Sequence, residues 1–140
     1  MLVKQLSVFM ENRPGRLSKL THTLGKEGID FVTLSLADTK DFGIVRFIAR
    51  ENERAYEVLK REGFTVGITE LIGVEVDDKP NALAEVVALI EEADMNIEYL
   101  YSFVLTERST AKILMRVNDT ERAVALLEKK GIKLLSEKIL

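Results

Sequence analysis

Leu6, Val8 and Met10 recur at every second position, the period of a strand with one buried face. From Pro14 to about Glu27 the period changes: Leu17, Leu20 and Leu24 fall at i, i+3 and i+7, the stripe of an amphipathic helix that Gly28 ends. Phe31 to Ala37 is rich in β-formers and predicts a second strand, Thr39 to Gly43 a turn, and Ile44 to Ala49 a third strand. Asn52 is placed to cap a second helix, with Glu53 in its first turn and Ala55, Val58 and Leu59 as its apolar stripe. Gly63 stops that helix, and Phe64 to Ile68 makes a short fourth strand. The predicted order is β-α-β-β-α-β.

The pattern then starts again. Sixty-six residues beyond Leu6, Val8 and Met10 stand Ile72, Val74 and Val76, while Pro14 and Leu17 return as Pro80 and Leu83. After the second hairpin the offset becomes 68, so that Glu53, Arg54, Ala55, Leu59 and Gly63 map to Glu121, Arg122, Ala123, Leu127 and Gly131. The two extra residues fall around Leu105 to Ser109, in the turn between the second and third strands, where insertion is cheapest. The chain therefore divides into two tandem repeats, 1–68 and 69–140, with no flexible linker between them.

Each repeat is expected to form an antiparallel sheet with both helices on one face, an α+β ferredoxin-like plan. The inward residues are Leu6, Val8, Val45, Phe47 and Ala49 in the first repeat and Ile72, Val74, Ile113, Met115 and Val117 in the second. Phe9, Leu34, Leu36, Ile44 and Ile48 are assigned to the opposite face of the first sheet, and Ile97, Tyr99, Tyr101 and Phe103 to one shared face in the second. So much apolar surface on a nominally wet face predicts that something covers it. A core of about 70 residues is marginal alone, which predicts repeats packed on each other and a homodimer.

Composition narrows the chemistry. Twenty basic against 23 acidic residues give a net charge of −3, without the excess of Lys and Arg that binding to a nucleic-acid backbone needs. Without cysteines there is no disulfide, thiolate chemistry or Cys-ligated metal, and one histidine, His22, has no second imidazole to work with. No apolar run approaches the roughly 20 residues of a membrane span. The opening Met1-Leu2-Val3-Lys4 reads as a strand rather than an export signal, which points to the cytoplasm. No catalytic residue and no cofactor are assigned.

The candidate site is the stretch Glu11-Asn12-Arg13-Pro14-Gly15-Arg16-Leu17, where strand runs into helix. Asn12 is expected to accept from the open N–H groups of the helix, Pro14 to occupy its first turn, and Gly15 to allow close approach to the backbone. A helix start of this kind suits a carboxylate or phosphate. The stretch returns as Asp77-Asp78-Lys79-Pro80-Asn81-Ala82-Leu83, with Asn81 in place of Gly15. An acylphosphatase-like reading of Asn12, Arg13 and Arg16 fails for want of a glycine-rich cradle.

Two βαββαβ units, each with an acidic or amide residue, a basic residue and a proline after strand one, resemble tandem ACT domains over essentially the whole chain. Glu11 to Gly15 followed by Gly28-Ile29-Asp30-Phe31 is similar to the serine-sensing regulatory domain of 3-phosphoglycerate dehydrogenases, although Met10 replaces the histidine of those relatives. The resemblance implies domains paired side by side, with an amino acid bound at the seam by the loop of one unit and the start of strand two of its neighbour. The residues it assigns are Asn12, Arg13, Pro14, Gly15 and Asp30, and in the second repeat Asp78, Lys79, Pro80, Asn81 and Asn96. It implies a non-catalytic regulatory module acting on a partner enzyme or regulator. The alternative is an assembly protein whose seam has lost its ligand.

Overall fold

The computed structural model describes residues 2–38, 41–103 and 109–136, with the side chain of Asp38 excepted. Its elements are β1 (Val3–Glu11), α1 (Arg16–Lys26), β2 (Phe31–Asp38), β3 (Phe42–Ala49), α2 (Asn52–Arg61), β4 (Thr65–Asp77), α3 (Ala82–Glu92), β5 (Ile97–Phe103), β6 (Thr110–Val117), α4 (Thr120–Lys129) and β7 (Lys133–Leu134). The expected separate strands at Phe64 to Ile68 and around Ile72 are one strand, β4. No glycine–proline break or polar cluster interrupts Thr65 to Asp77, so nothing ends the extended chain there. The third strand likewise begins two residues early, at Phe42. The insertion predicted at Leu105 to Ser109 lies, at 105–108, outside the described residues.

By their contacts, residues 4–69 form one compact unit, and residues from Glu70 onward, joined by residues 2–3, form the other. In the first unit the strands run β2-β3-β1-β4, with β1 and β2 antiparallel to β3. Leu6, Val8, Val45, Phe47 and Ala49 face Leu20 and Leu24 of α1 and Ala55, Val58 and Leu59 of α2 in one buried cluster, so both helices cover one face. Phe31 meets Phe47 edge to face, with ring centroids 5.1 Å apart. In the second unit β5-β6-β4 repeats this order and β7 adds to β4. Ile72, Val74, Ile113, Met115 and Val117 join Val86, Ile90, Ala123 and Leu127 in its core. Leu17 and Leu83 open their helices too far out to join these cores and stay exposed.

A bulge in each edge strand changes the expected faces. Phe31 pairs with Ala49 but Thr33 pairs with Ile48, two residues of β2 against one step of β3. Beyond the bulge the phase inverts. Leu34 and Leu36 stand opposite Phe47 and Val45, on the helix-bearing face, and not on the opposite face with Phe9 and Ile44. Ile48, also expected on an open face, is buried. The second unit repeats the device between Ile97 and Tyr99. Leu100 thus shares the core face with Met115, while Tyr99, Tyr101 and Phe103 pair with Arg116, Leu114 and Lys112 on the other face, apart from Ile97.

The helix ends follow one rule. At Gly28, Gly63 and Gly131 the backbone takes a positive φ, and the next N–H reaches back to close the last turn: Ile29 to Leu24, Phe64 to Leu59 and Ile132 to Leu127. Asp94 holds the same place after α3 at φ 58°, with Met95 N–H donating to the Ile90 carbonyl. Asn52 is not the cap of α2. Glu51 holds that position, and the Asn52 amide accepts from Ala49 N–H and donates to the Lys4 carbonyl, tying the helix to two strands.

Candidate functional site

The two loops that follow β1 and β4 have one backbone. Arg16 N–H donates to the Arg13 carbonyl at 3.4 Å, and Ala82 N–H to the Lys79 carbonyl at the same distance. Gly15 has φ 93° and ψ −19°, and Asn81 φ 72° and ψ −11°. A proline at the second place and a positive φ at the third define a type II turn, formed by Arg13–Arg16 and by Lys79–Ala82. The Asn12 and Asp78 N–H groups donate to the Asp41 and Ser109 carbonyls across the sheet end, which fixes where each loop leaves its strand.

This geometry revises the expected roles. Pro14 and Pro80 precede their helices, as the leading residues of the turns. The helix caps are Gly15 and Asn81, and neither helix has a side-chain cap, so Asn12 does not cap α1. A Cβ on Gly15 would meet no other protein atom within 4 Å, so within the chain the glycine serves the turn's positive φ. Lys19 N–H and Glu85 N–H close the first helical bonds onto the Gly15 and Asn81 carbonyls. Among the described residues nothing accepts from the N–H groups of Leu17 and Ser18, or of Leu83 and Ala84. Two successive donors therefore remain open at each helix start.

The charges around the turns repeat as well. The Arg13 guanidinium lies 3.0 Å from Glu11, and the Lys79 ammonium 3.4 Å from Asp77, all on exposed side chains. Beside the second loop lies a groove of about 250 Å³, lined by Asp77, Asp78, Lys79, Ala82, Leu83, Leu100, Ser102 and Ile113 among others. Its apolar wall exists because the bulge in β5 turns Leu100 and Ser102 to the helix side. The same places in the first repeat are Leu17, Leu34 and Leu36, all exposed. Periodicity read through the strand without a bulge misplaces these residues. The signal for them was a second-strand leucine and a first-turn leucine at matching places in both repeats.

Asp30 and Asn96 do not join the loops of their own units. Glu11 pairs with Phe42 and Phe31 with Ala49, so Asp30 stands roughly 20 Å along the sheet from its loop. Asn96 has the same relation to Asp78. Both instead anchor strand ends: the Asp30 carbonyl accepts from Arg50 N–H, and the Asn96 carbonyl from Asn118 N–H. Thus Asn12, Arg13, Pro14 and Gly15 come together, as do Asp78, Lys79, Pro80 and Asn81, while Asp30 and Asn96 stand apart from them within each unit.

Among the described residues no three His, Asp or Glu side chains gather where they could hold a metal, and no helix is long and apolar enough to cross a membrane. The family model of the ACT domain pair matches residues 1–140. The chain belongs to the ACT domain family. This ACT pair is similar to a protein from Bacteroides thetaiotaomicron of known crystal structure, with 36% identity and a TM-score of 0.90 over 98% of this chain and 94% of that one. It shares its fold with the regulatory subunit of aspartate kinase from Thermus thermophilus, at 16% identity and a TM-score of 0.60 over 90% and 91% of the two chains. The corresponding subunit from Thermus flavus aligns at 16% identity and a TM-score of 0.61, over 91% and 92%. No curated protein matches the chain.

Proposed function

We propose that this ACT pair is a non-catalytic, cytoplasmic regulatory module that binds an amino acid at the seam between paired ACT domains. The observation that supports it is the duplicated loop, which offers two open N–H groups beside a carboxylate in each repeat. The N–H pair of Leu83 and Ala84 suits an α-carboxylate, Asp78 or Asp77 an α-ammonium, and the wall of Leu83 and Leu100 a side chain. Asp30 and Asn96 stand too far from the loops of their own units to help there, so a seam would bring them from another domain or a second copy. A seam completed by a second copy makes the protein a homodimer, and it gives Asn12, Arg13, Pro14, Gly15 and Asp30 one role with Asp78, Lys79, Pro80, Asn81 and Asn96.

A ligand at such a seam favours the paired arrangement by its differential affinity, and a partner enzyme or regulator reads the change. A thermal-shift panel against the amino acids tests this. A ligand at about a hundred times its Kd adds roughly 2.7 kcal/mol to folding stability. One amino acid should stand clear, and Asn12→Ala with Asp78→Ala, at exposed loop positions, should reduce its shift. A flat panel overturns the reading.

The exposed strip of Leu17, Leu34 and Leu36 favours a second reading, an assembly protein that joins or modulates a partner without a ligand. The flat panel, together with a stable complex, is its signature.

A further inference from the structure

The two repeats build the same groove twice, at the corner where β1 or β4 ends, the first helix begins and the last strand starts. In the first unit it measures about 340 Å³ and is lined by Phe9, Phe42, Phe64, Glu11 and Arg16. In the second it measures about 350 Å³, and the corresponding places are Glu75, Thr110, Ile132, Asp77 and Ala82. The shape is kept and the chemistry is exchanged.

In the second unit the groove is occupied by the protein's own polar groups. Glu75 accepts from the Lys133 ammonium at 2.6 Å and from the Thr110 hydroxyl at 2.9 Å. In the first unit no such network exists among the described residues. Phe9 and Phe42 are instead 50% and 60% exposed, and among the described residues the Arg16 guanidinium makes no hydrogen bond, only a long ion pair with Glu11 at 3.9 Å. Glu11 is held more closely by Arg13, at 3.0 Å. The Lys19 ammonium lies 5.6 Å from the Phe64 ring centre and adds a second positive charge, where the other repeat has Glu85.

The fold does not require Phe9, Phe42 or Arg16, because the second unit makes the same corner with Glu75, Thr110 and Ala82. Phe64 packs against the core, as its counterpart Ile132 does, but two largely exposed phenylalanines beside a guanidinium need another reason. We propose that this groove is a second binding site, separate from the seam, for a small aromatic carboxylate. The ring lies among Phe9, Phe42 and Phe64, where offset or edge-on aromatic contacts are available, and the carboxylate takes the two parallel donors of Arg16.

The test is NMR titration of the full ¹⁵N-labelled chain with 3-phenylpropionate, and separately with phenethylamine, which has a similar ring but the opposite charge. Saturable shifts are expected at the amides of Phe9, Arg16, Phe42 and Phe64, with none at Glu75, Thr110 and Ile132. Phenethylamine should leave all of them unmoved. Phe42→Thr and Arg16→Ala, which copy the second repeat and so suit the fold, should each weaken binding at least about tenfold while keeping a dispersed free spectrum. Shifts that do not saturate, that phenethylamine reproduces, or that survive both substitutions overturn the proposal. Loss of amino-acid binding at the seam leaves these readouts unchanged, so the two proposals fail separately.

Discussion

Gly15 and Asn81 hold one backbone conformation in two loops, 93° and 72° in φ, although only one of them lacks a Cβ. Asparagine tolerates the left-handed region better than other residues with a side chain, because its short amide bonds locally. Gly15→Asn should therefore cost little, whereas Gly15→Val should cost about 1–2 kcal/mol through the turn alone, since no neighbour crowds the site. Urea unfolding of the two variants checks the ranking. Equal losses would show that the turn does not depend on its third residue.

Asp94 departs from the rule at the helix ends. Three glycines take the left-handed position after α1, α2 and α4, and Asp94 takes it after α3 at φ 58°. Asp94→Gly should raise stability by up to about 1 kcal/mol, because the strain of a side chain there exceeds the entropy that glycine adds to the unfolded chain. Thermal unfolding of the variant should show the higher midpoint.

Acid should act on β7. The hydrogen bond from Lys133, then that from Thr110, holds the Glu75 carboxyl below its ordinary value of 4.5. A carboxyl lowered on folding contributes stability that is fully present above its unfolded value and is lost as pH falls through its folded value. Glu75→Gln should cost about 1 kcal/mol at neutral pH, less than a fully buried hydrogen bond to a charged group because the Lys133 side chain is exposed and screened by solvent. Its deficit against the unaltered chain should shrink below the ordinary carboxylate range. A deficit constant with pH would mean that the ion pair contributes nothing.

How much of this was legible in the sequence differs by element. The period of Leu6, Val8 and Met10, the stripe of Leu20 and Leu24, and the 66-residue recurrence lead to the two cores built around Phe47 and Met115, because burial enforces such patterns. Leu34 and Leu36 are not placed correctly by alternation, because a bulge at Val32 leaves no mark in composition: it is one residue of slip, and alternation counted through it comes out inverted. Asn12 and Asn52 are residue types that favour caps, but hydrogen bonds set by the sheet ends decide otherwise. The proline and the residue after it were legible as a pair, and their true meaning, a type II turn, needed the two dihedral angles.

The strip of Leu17, Leu34 and Leu36 predicts association. These residues lie at an edge strand on the helix side and leave apolar surface in water. Leu34→Asp with Leu36→Asp should shift the chain from dimer to monomer in sedimentation without lowering its unfolding free energy by more than about 1 kcal/mol, as exposed positions rarely cost more. A monomer before substitution would remove the prediction.

The bulge in β2 and its counterpart in β5 divide each strand between two histories. Phe31 and Ile97, on one side of it, answer to the core and stay apolar in both repeats. Leu36 and Ser102, beyond it, answer to whatever meets the edge, and they have already parted between a hydrocarbon and a hydroxyl. After a duplication, a copied unit can therefore change what it recognises at that edge one residue at a time while its interior keeps the ancestral packing.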